Sequence, residues 1–579
     1  MYRASLRNHT LCLALALVLV SGFATASPRA GKSNGRPHAT AQSGQQVGRT
    51  VARTIAASPR ELTRDPTAAA RLRASTVKPG KPAIVTADEA MKLVRPGSWV
   101  LLPAEAGVPQ PLVDALGRRA IALKTPKSGK PVNVIHSASL AQYNPDAITS
   151  GALKITAPFI NSGARPYVKQ PGVLNMMAID LSDIPVYLRE KQRPNVVLVN
   201  TSLPDKRGYV YTGLGLDIIA EWLADPRVKV IALANPNVPA TGGTRLHQSH
   251  IDRMVMDDKP LSELKWEPPT LVDRAIGRNV AEVVKNGATL QMGIGPLQTA
   301  VGGALAKRGQ KINEGGGKFK VRIRTEMIDD GLLTMLKAGI VSGSRDAVQV
   351  GFVAGTQPLY QALGHDKRIK ILPTSVLNDP REAAKRNNLY AINSGVTLDL
   401  YGQSCAEMVP RTSADGTMYP EAYSGRGGQM DFWRAVKWSK GGVGILTLRS
   451  TAKNGTLSSI TLNMGDQLKA DESGVRVAGN VPGLKVTTGA NDIQWVATEW
   501  GIAKLRFNDD ISRAQALVRI AHPKFRAELA QQGMKRFGGS PESWAEAAKV
   551  SPREQRLSQF FAASEAKAAA AAKAQAAKK

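Results

Sequence analysis

A chain of 579 residues is long for one hydrophobic core, and 43% hydrophobic with 21% charged residues is the composition of a globular protein rather than a disordered one. The formal charge is +31: residues 1–80 carry twelve basic and two acidic side chains and residues 551–579 six and two, which leaves +17 on the body between them. A basic body suits phosphate-bearing ligands and attracts anionic surfaces without selectivity, but no aromatic-interleaved basic stripe or nucleic-acid motif accompanies it, which argues against specific nucleic-acid binding.

The first element in chain order is a secretory signal over residues 1–26, with Arg3 and Arg7 in its basic head, an apolar run from Leu11 to Val20 and A-T-A at Ala24 to Ala26 as the cleavage site. That run is too short for a spanning helix, and no other is as apolar. Export to a periplasm or medium is therefore expected, against two alternatives: a start placed too far upstream on a cytoplasmic protein, or an organellar transit segment on a mitochondrial one. Residues 27–80 read as a basic low-complexity linker with Glu61 and Asp65 as its acids. Cys12 would leave with the signal, and Cys405 would then have no disulfide partner.

Between about Ile84 and Asn200, short apolar runs (S-W-V-L-L, V-N-V-I-H, N-V-V-L-V) alternate with amphipathic segments such as P-L-V-D-A-L-G-R-R-A. Strands crossed by helices make a parallel sheet. The prolines of W-E-P-P-T (Trp266 to Thr270) mark a boundary, placing one α/β half over 81–268 and a second over 269–545. The second half opens with an amphipathic helix over Ile276 to Gly287 and a strand, A-T-L-Q-M-G-I-G, ending in glycines. Residues 546–579 form an Ala/Lys-rich tail whose A-K-A-A-A-A-A-K end has helix propensity but no apolar face, so it reads as a frayed helix or spacer.

Three segments carry chemistry. A-T-L-Q-M-G-I-G-P-L (Ala288 to Leu297) stops a buried strand at two glycines, where a backbone can pass close to a ligand. R-T-E-M (Arg324 to Met327) sets one carboxylate at the end of a V-R-I-R strand pattern, and G-R-G-G-Q-M-D-F (Gly425 to Phe432) supplies glycine amides able to face a developing oxyanion. Each taken alone has an ordinary reading, as a tight turn or a solvated surface acid. A carboxylate needs no general base to attack a thioester, though the anhydride it forms is of high energy, so oxyanion donors and binding energy from a remote part of the substrate are required. His136, His247, His250, His365 and His522 show no ligand spacing beyond His247 and His250, which read as loop residues, so no metal is expected.

Order and spacing of these segments resemble the acetyl-CoA hydrolase/transferase family of class I coenzyme A transferases. The likeness extends through L-S-D-I-P (Leu181 to Pro185), A-N-P-N-V-P-A-T-G-G (Ala234 to Gly243), L-N-D-P (Leu377 to Pro380), A-I-N-S-G (Ala391 to Gly395), V-T-T (Val486 to Thr488) and T-E-W-G (Thr498 to Gly501), about residues 80 to 545. The resemblance implies two tandem three-layer α/β domains of CoA-transferase type with the site in the cleft between them, and a homodimer. It implies an acyl-CoA:carboxylate CoA-transferase, or a hydrolase by leakage of the same intermediate, in acetate metabolism. Coenzyme A thioester would be a substrate, no cofactor would be bound, and acetate, succinate or a similar carboxylate would be the acceptor.

By the same resemblance Glu326 is the nucleophile that becomes a glutamyl-CoA thioester. Gly293, Ile294, Gly295, Gly427 and Gly428 are the oxyanion or coenzyme contacts, Asn393 matches an active-site asparagine, and Glu499 occupies a site position of unassigned role. The chain departs from the pattern at Arg324, where His or Tyr is usual, at Gly489 and Ala490, where Pro and Arg usually follow V-T-T, and in extra segments at Arg411–Tyr423 and around Lys469 to Pro482. These departures leave acyl donor and acceptor open. The rival reading is an exported basic protein that keeps the fold as a non-catalytic binding module.

Overall fold

The computed structural model describes residues 80–576 except 125–128, 365, 414–416, 454, 471–475 and 481–482. The expected signal, its cleavage site, nearly all of the linker, Cys12 and His365 lie outside these residues. Two eight-stranded sheets organise the chain. The first runs, in spatial order, Ala83–Ile84, Arg253–Met256, Lys229–Ala234, Val196–Thr201, Trp99–Leu101, Val132–Ile135, Leu153–Ala157 and Leu174–Met176, every pair parallel. In the second the order is Ile369–Ile371, Val348–Val353, Arg322–Ile328, Thr289–Met292, Leu389–Ser394, Val443–Thr447, Trp495–Thr498 and Gly501–Lys504, parallel except for the last pair.

Strands such as V-V-L-V-N-T and V-Q-V-G-F-V are buried at every residue. Parallel sheets covered on both faces demand such unbroken apolar runs, and β-branched residues fit the pleat. The helix expected over 276–287 instead runs Leu271–Val283. Thr270 and Asp273 form a reciprocal capping box that starts it earlier, and it ends before the turn at Gly287, whose φ is +80°. The glycines of A-T-L-Q-M-G-I-G fall outside the strand, which stops at Met292 and leaves the loop before the Pro296–Glu314 helix.

One core cluster runs from Leu101 and Val199 in the first half to Leu290, Val350 and Ala497 in the second. Backbone bonds reinforce that join: Leu216 N–H donates to Gly351 O at 3.2 Å, Val353 N–H to Leu214 O at 2.8 Å and Ile371 N–H to Gly242 O at 2.8 Å. The close approach explains the glycine pair of A-T-G-G, because a Cβ on Gly243 would lie 2.2 Å from Ile371 O. Both extra segments are β-hairpins, Met408–Thr412 with Met418–Ala422 and Asp466–Ala470 with Arg476–Asn480. The tail departs from a free spacer, since Pro552–Ala576 is one helix and its Phe561 is buried against Trp500.

Candidate active site

The C-terminal ends of strands from both sheets open onto one cavity of about 880 Å³. This is where parallel α/β sheets commonly place ligands, because the connecting loops diverge there. The first half contributes Glu105, Ser137 and Asn161, each just beyond a strand, and the second contributes the 291–297 segment, Glu326, Asn393 and the 423–429 loop.

Glu326 lies in the Arg322–Ile328 strand and lines the cavity. Gln291 Nε2 donates to one carboxylate oxygen at 3.2 Å and Asn378 Nδ2 to the other at 3.4 Å. Burial pushes the Glu326 carboxyl above its ordinary range, while its own backbone N–H, these two amides and the Gly428 N–H hold it down. No ion pair of the described residues reaches it, so Glu326 is a desolvated acid oriented by neutral donors.

Asn393 does not bond Glu326. It exchanges hydrogen bonds with Gln291, donating to Oε1 at 2.9 Å and accepting from Nε2 at 3.1 Å, and so fixes which way the Gln291 amide faces. The two glycine segments do different work from that expected of them as a group. Gly293 N–H is taken by Ile392 O at 2.9 Å, completing the sheet. Gly425 faces the other half, where a Cβ would fall 1.9 Å from Pro158 O. Gly428 sits against the acid, for a Cβ there would lie 1.9 Å from Glu326 Oε1. Among the described residues, the N–H groups of Ile294, Gly295 and Gly427 keep no protein partner, and all three residues line the cavity. Gly295 (φ +95°) opens the Pro296–Glu314 helix, whose N-terminus favours negative charge.

Glu499 is not brought into this group. Its carboxylate accepts from Ser450 N–H at 3.0 Å and from the Ser450 hydroxyl, bracing the loop that carries Arg449 and Thr451 to the cavity wall. Arg324, two residues before Glu326, is buried and donates to Gln349 Oε1 at 2.7 Å and Val376 O at 2.6 Å. It therefore steadies the turn that presents Asn378. Burial, chiefly, and nearby Arg386 lower its pKa to about 10. After V-T-T, Ala490 O accepts from Arg513 at 2.7 Å, and Thr488 Oγ1 accepts from Gln429 at 2.8 Å.

Three further residues were not singled out from the sequence. Asn378 also donates to Asp431 Oδ2 at 3.1 Å, which makes it a bridge between half-buried Glu326 and buried Asp431. Burial and then the charges of Asp180 and Glu326 drive Asp431 up to about 7 against the hydrogen bonds of Ser182 and Asn378. The L-N-D-P motif contains Asn378 and Q-M-D-F contains Asp431, but only folding brings them together. Gln291, inside an apolar strand, was legible as an oddity: a buried amide needs a partner. His247 Nδ1 contacts Ser249 Oγ at 2.8 Å, and no group of three metal-ligating side chains occurs among the described residues.

Residues 78–263 match the N-terminal domain of acetyl-CoA hydrolase/transferase and residues 355–533 its C-terminal domain. The chain is 32% identical to the succinyl-CoA:cyclohexane-1-carboxylate CoA transferase of Geobacter metallireducens over 76% of its own length and 93% of that protein. It is 32% identical to the 4-hydroxybutyrate coenzyme A transferase of Clostridium kluyveri over 79% of its length and 98% of that protein. Among solved structures, RipA from Yersinia pestis superposes with a TM-score of 0.65 at 26% identity, covering 78% of this chain and 97% of that one. A 4-hydroxybutyrate CoA-transferase from Porphyromonas gingivalis superposes at 0.59 and 27%, covering 79% and 98%.

Proposed function

Because the chain belongs to the acetyl-CoA hydrolase/transferase family and its enzymes are CoA transferases, we propose that it moves coenzyme A between an acyl thioester and a free carboxylate through a thioester on Glu326. The observation that carries this reading is the Glu326 carboxylate in the wall of a cavity of about 880 Å³, held by neutral amides rather than by a cation and beside free N–H groups. A salt-bridged carboxylate would be stabilised as an anion and made a poorer nucleophile; Glu326 is not.

The Glu326 carboxylate adds to the thioester carbonyl, and the tetrahedral oxyanion meets the N–H groups of Ile294, Gly295 or Gly427. Collapse breaks the C–S bond and gives an acyl-glutamyl anhydride and a coenzyme A thiolate. The thiolate then attacks the glutamyl carbonyl, releasing the original acyl group as a carboxylate and leaving glutamyl-CoA. A second carboxylate repeats the two steps in reverse and leaves as the new acyl-CoA. Water in its place gives net hydrolysis. Gln291 and Asn378 orient the carboxylate, and Asn393 orients Gln291. No observation at the site favours the non-catalytic alternative.

The chain body is read as two functional halves, 81–268 and 269–545, working as a homodimer on acyl-CoA and small carboxylates such as acetate or succinate. Glu326→Ala is expected to abolish turnover, a loss far beyond the ~10²–10³ of one oxyanion donor. Mass spectrometry of wild-type protein incubated with acetyl-CoA should find a coenzyme A adduct on residue 326, which borohydride reduces. Near-normal activity of the Ala variant, or an adduct on Glu499, would overturn the mechanism.

A further inference from the structure

The end of the second sheet away from the cavity carries charge that the transfer chemistry does not use. Seven parallel strands begin there, and backbone bonds tie the loops leading into them to one another. Asp346 N–H donates to Lys367 O at 3.1 Å, Ile323 N–H to Ala347 O at 2.9 Å and Gly287 N–H to Lys320 O at 2.8 Å. Thr289 N–H donates to Asn388 O at 2.9 Å and Asn388 N–H to Lys440 O at 2.8 Å. Farther along, Gly444 N–H reaches Gln494 Oε1 at 3.1 Å, and Gln494 O accepts from Arg506 N–H at 3.1 Å. The loops thus form one continuous rim, about 30 Å long at the usual spacing of strands.

Lys285, Lys318, Arg322, Arg345, Lys367 and Lys440 stand exposed on this rim. The acids of the same loops are already engaged. Asp346 pairs with Lys370 at 3.2 Å, Asp366 with Arg368 at 2.7 Å and Asp492 with Lys437, while Asp509 caps the Asp510–Ile520 helix. No salt bridge of the described residues reaches the six cations. Toward the Gln494 end two large apolar side chains are exposed as well, Trp438 at 63% and Phe507 at 88%. Trp438 closes the Gln429–Trp438 helix just before Lys440, and Phe507 follows Arg506, whose guanidinium lies 4.7 Å from the ring centre. The φ of Phe507 is +70°, an outlier for a bulky residue, so this turn presents the ring to solvent at a cost.

We propose that this rim is a docking surface for an anionic phospholipid bilayer, its cations meeting lipid phosphates while Trp438 and Phe507 enter the headgroup region. A second copy is disfavoured, since a two-fold contact would set the same cations against one another. A basic row attracts nucleic acid too, but stacking needs rings set among the cations, and here both rings lie toward one end. A bilayer suits both features: the cations gain from an anionic surface and the aromatic rings from the interface, and two such signals together make binding stable. Docked in this way, the cavity at the opposite strand ends stays open to substrate.

This inference stands apart from the CoA-transferase reading, and its test needs no turnover. The full chain is sedimented with vesicles of phosphatidylcholine alone and of phosphatidylcholine mixed with phosphatidylglycerol, and should bind the second more tightly. Lys285→Glu combined with Lys318→Glu and Lys367→Glu should weaken that binding on the order of 10²-fold. Lys92→Glu combined with Lys154→Glu and Lys206→Glu, at exposed cations of the first half, changes the net charge equally and should weaken it far less. Trp438→Ala with Phe507→Ala, at unchanged net charge, should weaken it ~10-fold. All these positions are exposed, so each variant should melt as the wild type does. Equal losses in the two triple variants, or no loss in the first or in the aromatic variant, overturn the assignment. So does equal binding to both kinds of vesicle, or binding of duplex DNA that the first triple variant abolishes while vesicle binding persists.

Discussion

Glu326 is set apart from the other acids of the chain by what surrounds it rather than by what precedes it in R-T-E-M. In the proposed mechanism only its ionised form attacks, and burial raises its pKa, so kcat/KM should fall as the pH drops through that raised value. Asp431 shares Asn378 with it and adds like charge, which raises each acid's pKa. Asp431→Asn is therefore expected to move the acid limb of the pH–rate profile to lower pH, while an unmoved limb would place that titration elsewhere. Gly428 leaves no room for a side chain beside Glu326 Oε1, 1.9 Å from where a Cβ would sit. In Gly428→Ala the carboxylate must shift, and a displacement of about an ångström at the reacting atom costs ~10²-fold in kcat. Thermal unfolding of the same variant should change far less than its rate.

Short parallel strands place these residues, and the elements added around them secure the frame. The hairpin of Met408–Thr412 and Met418–Ala422 reaches the first half through Lys169 and Glu421 at 2.6 Å, and just beyond it Arg165 lies over the Tyr423 ring at 4.6 Å. Arg165 and Tyr423 both line the cavity. The C-terminal helix Pro552–Ala576 is held by Phe561 on Trp500, with ring centroids 5.8 Å apart, and by Glu554 on the buried Arg526 at 2.7 Å. Removing a largely buried ring leaves a cavity, so Phe561→Ala should cost on the order of 2 kcal/mol. A melting temperature lowered by a few degrees, with kcat preserved, is the expected result; an unchanged melting temperature would show that the helix does not depend on this contact.

At the scale of the molecule, the two halves share one core and one cavity, and each supplies polar groups the other lacks. Asp431 of the second half accepts from Ser182 of the first, from its N–H at 3.1 Å and its hydroxyl at 2.6 Å, while Arg434 and Asp180 pair across the same seam. The +17 on the body raises the local concentration of a phosphate-bearing substrate. Export remains a proposal from the basic head, the apolar run and A-T-A alone. N-terminal sequencing of native protein should begin at Ser27, after loss of residues 1–26. Recovery of Met1 would rule out that processing.

Composition and periodicity were enough for the α/β class and for strands such as N-V-V-L-V, because a strand buried on both faces leaves an unbroken apolar run in the sequence. Motif order was enough to single out Glu326, the glycine loops and Asn393. It could not say that Gly293 spends its N–H on the sheet, that Gly425 makes room for the other half, or that Glu499, itself outside the cavity, braces a loop of its wall. Nor could it join Gln291, Asn378 and Asp431 to the site or expose Glu105, since hydrogen bonds spanning 35 to 102 residues leave no local pattern. Residue type and spacing along the chain determined what chemistry is available. Tertiary structure decided which groups are desolvated, which are already spoken for, and which face each other across the cavity, because burial and hydrogen-bond pairing are properties of neighbours in space.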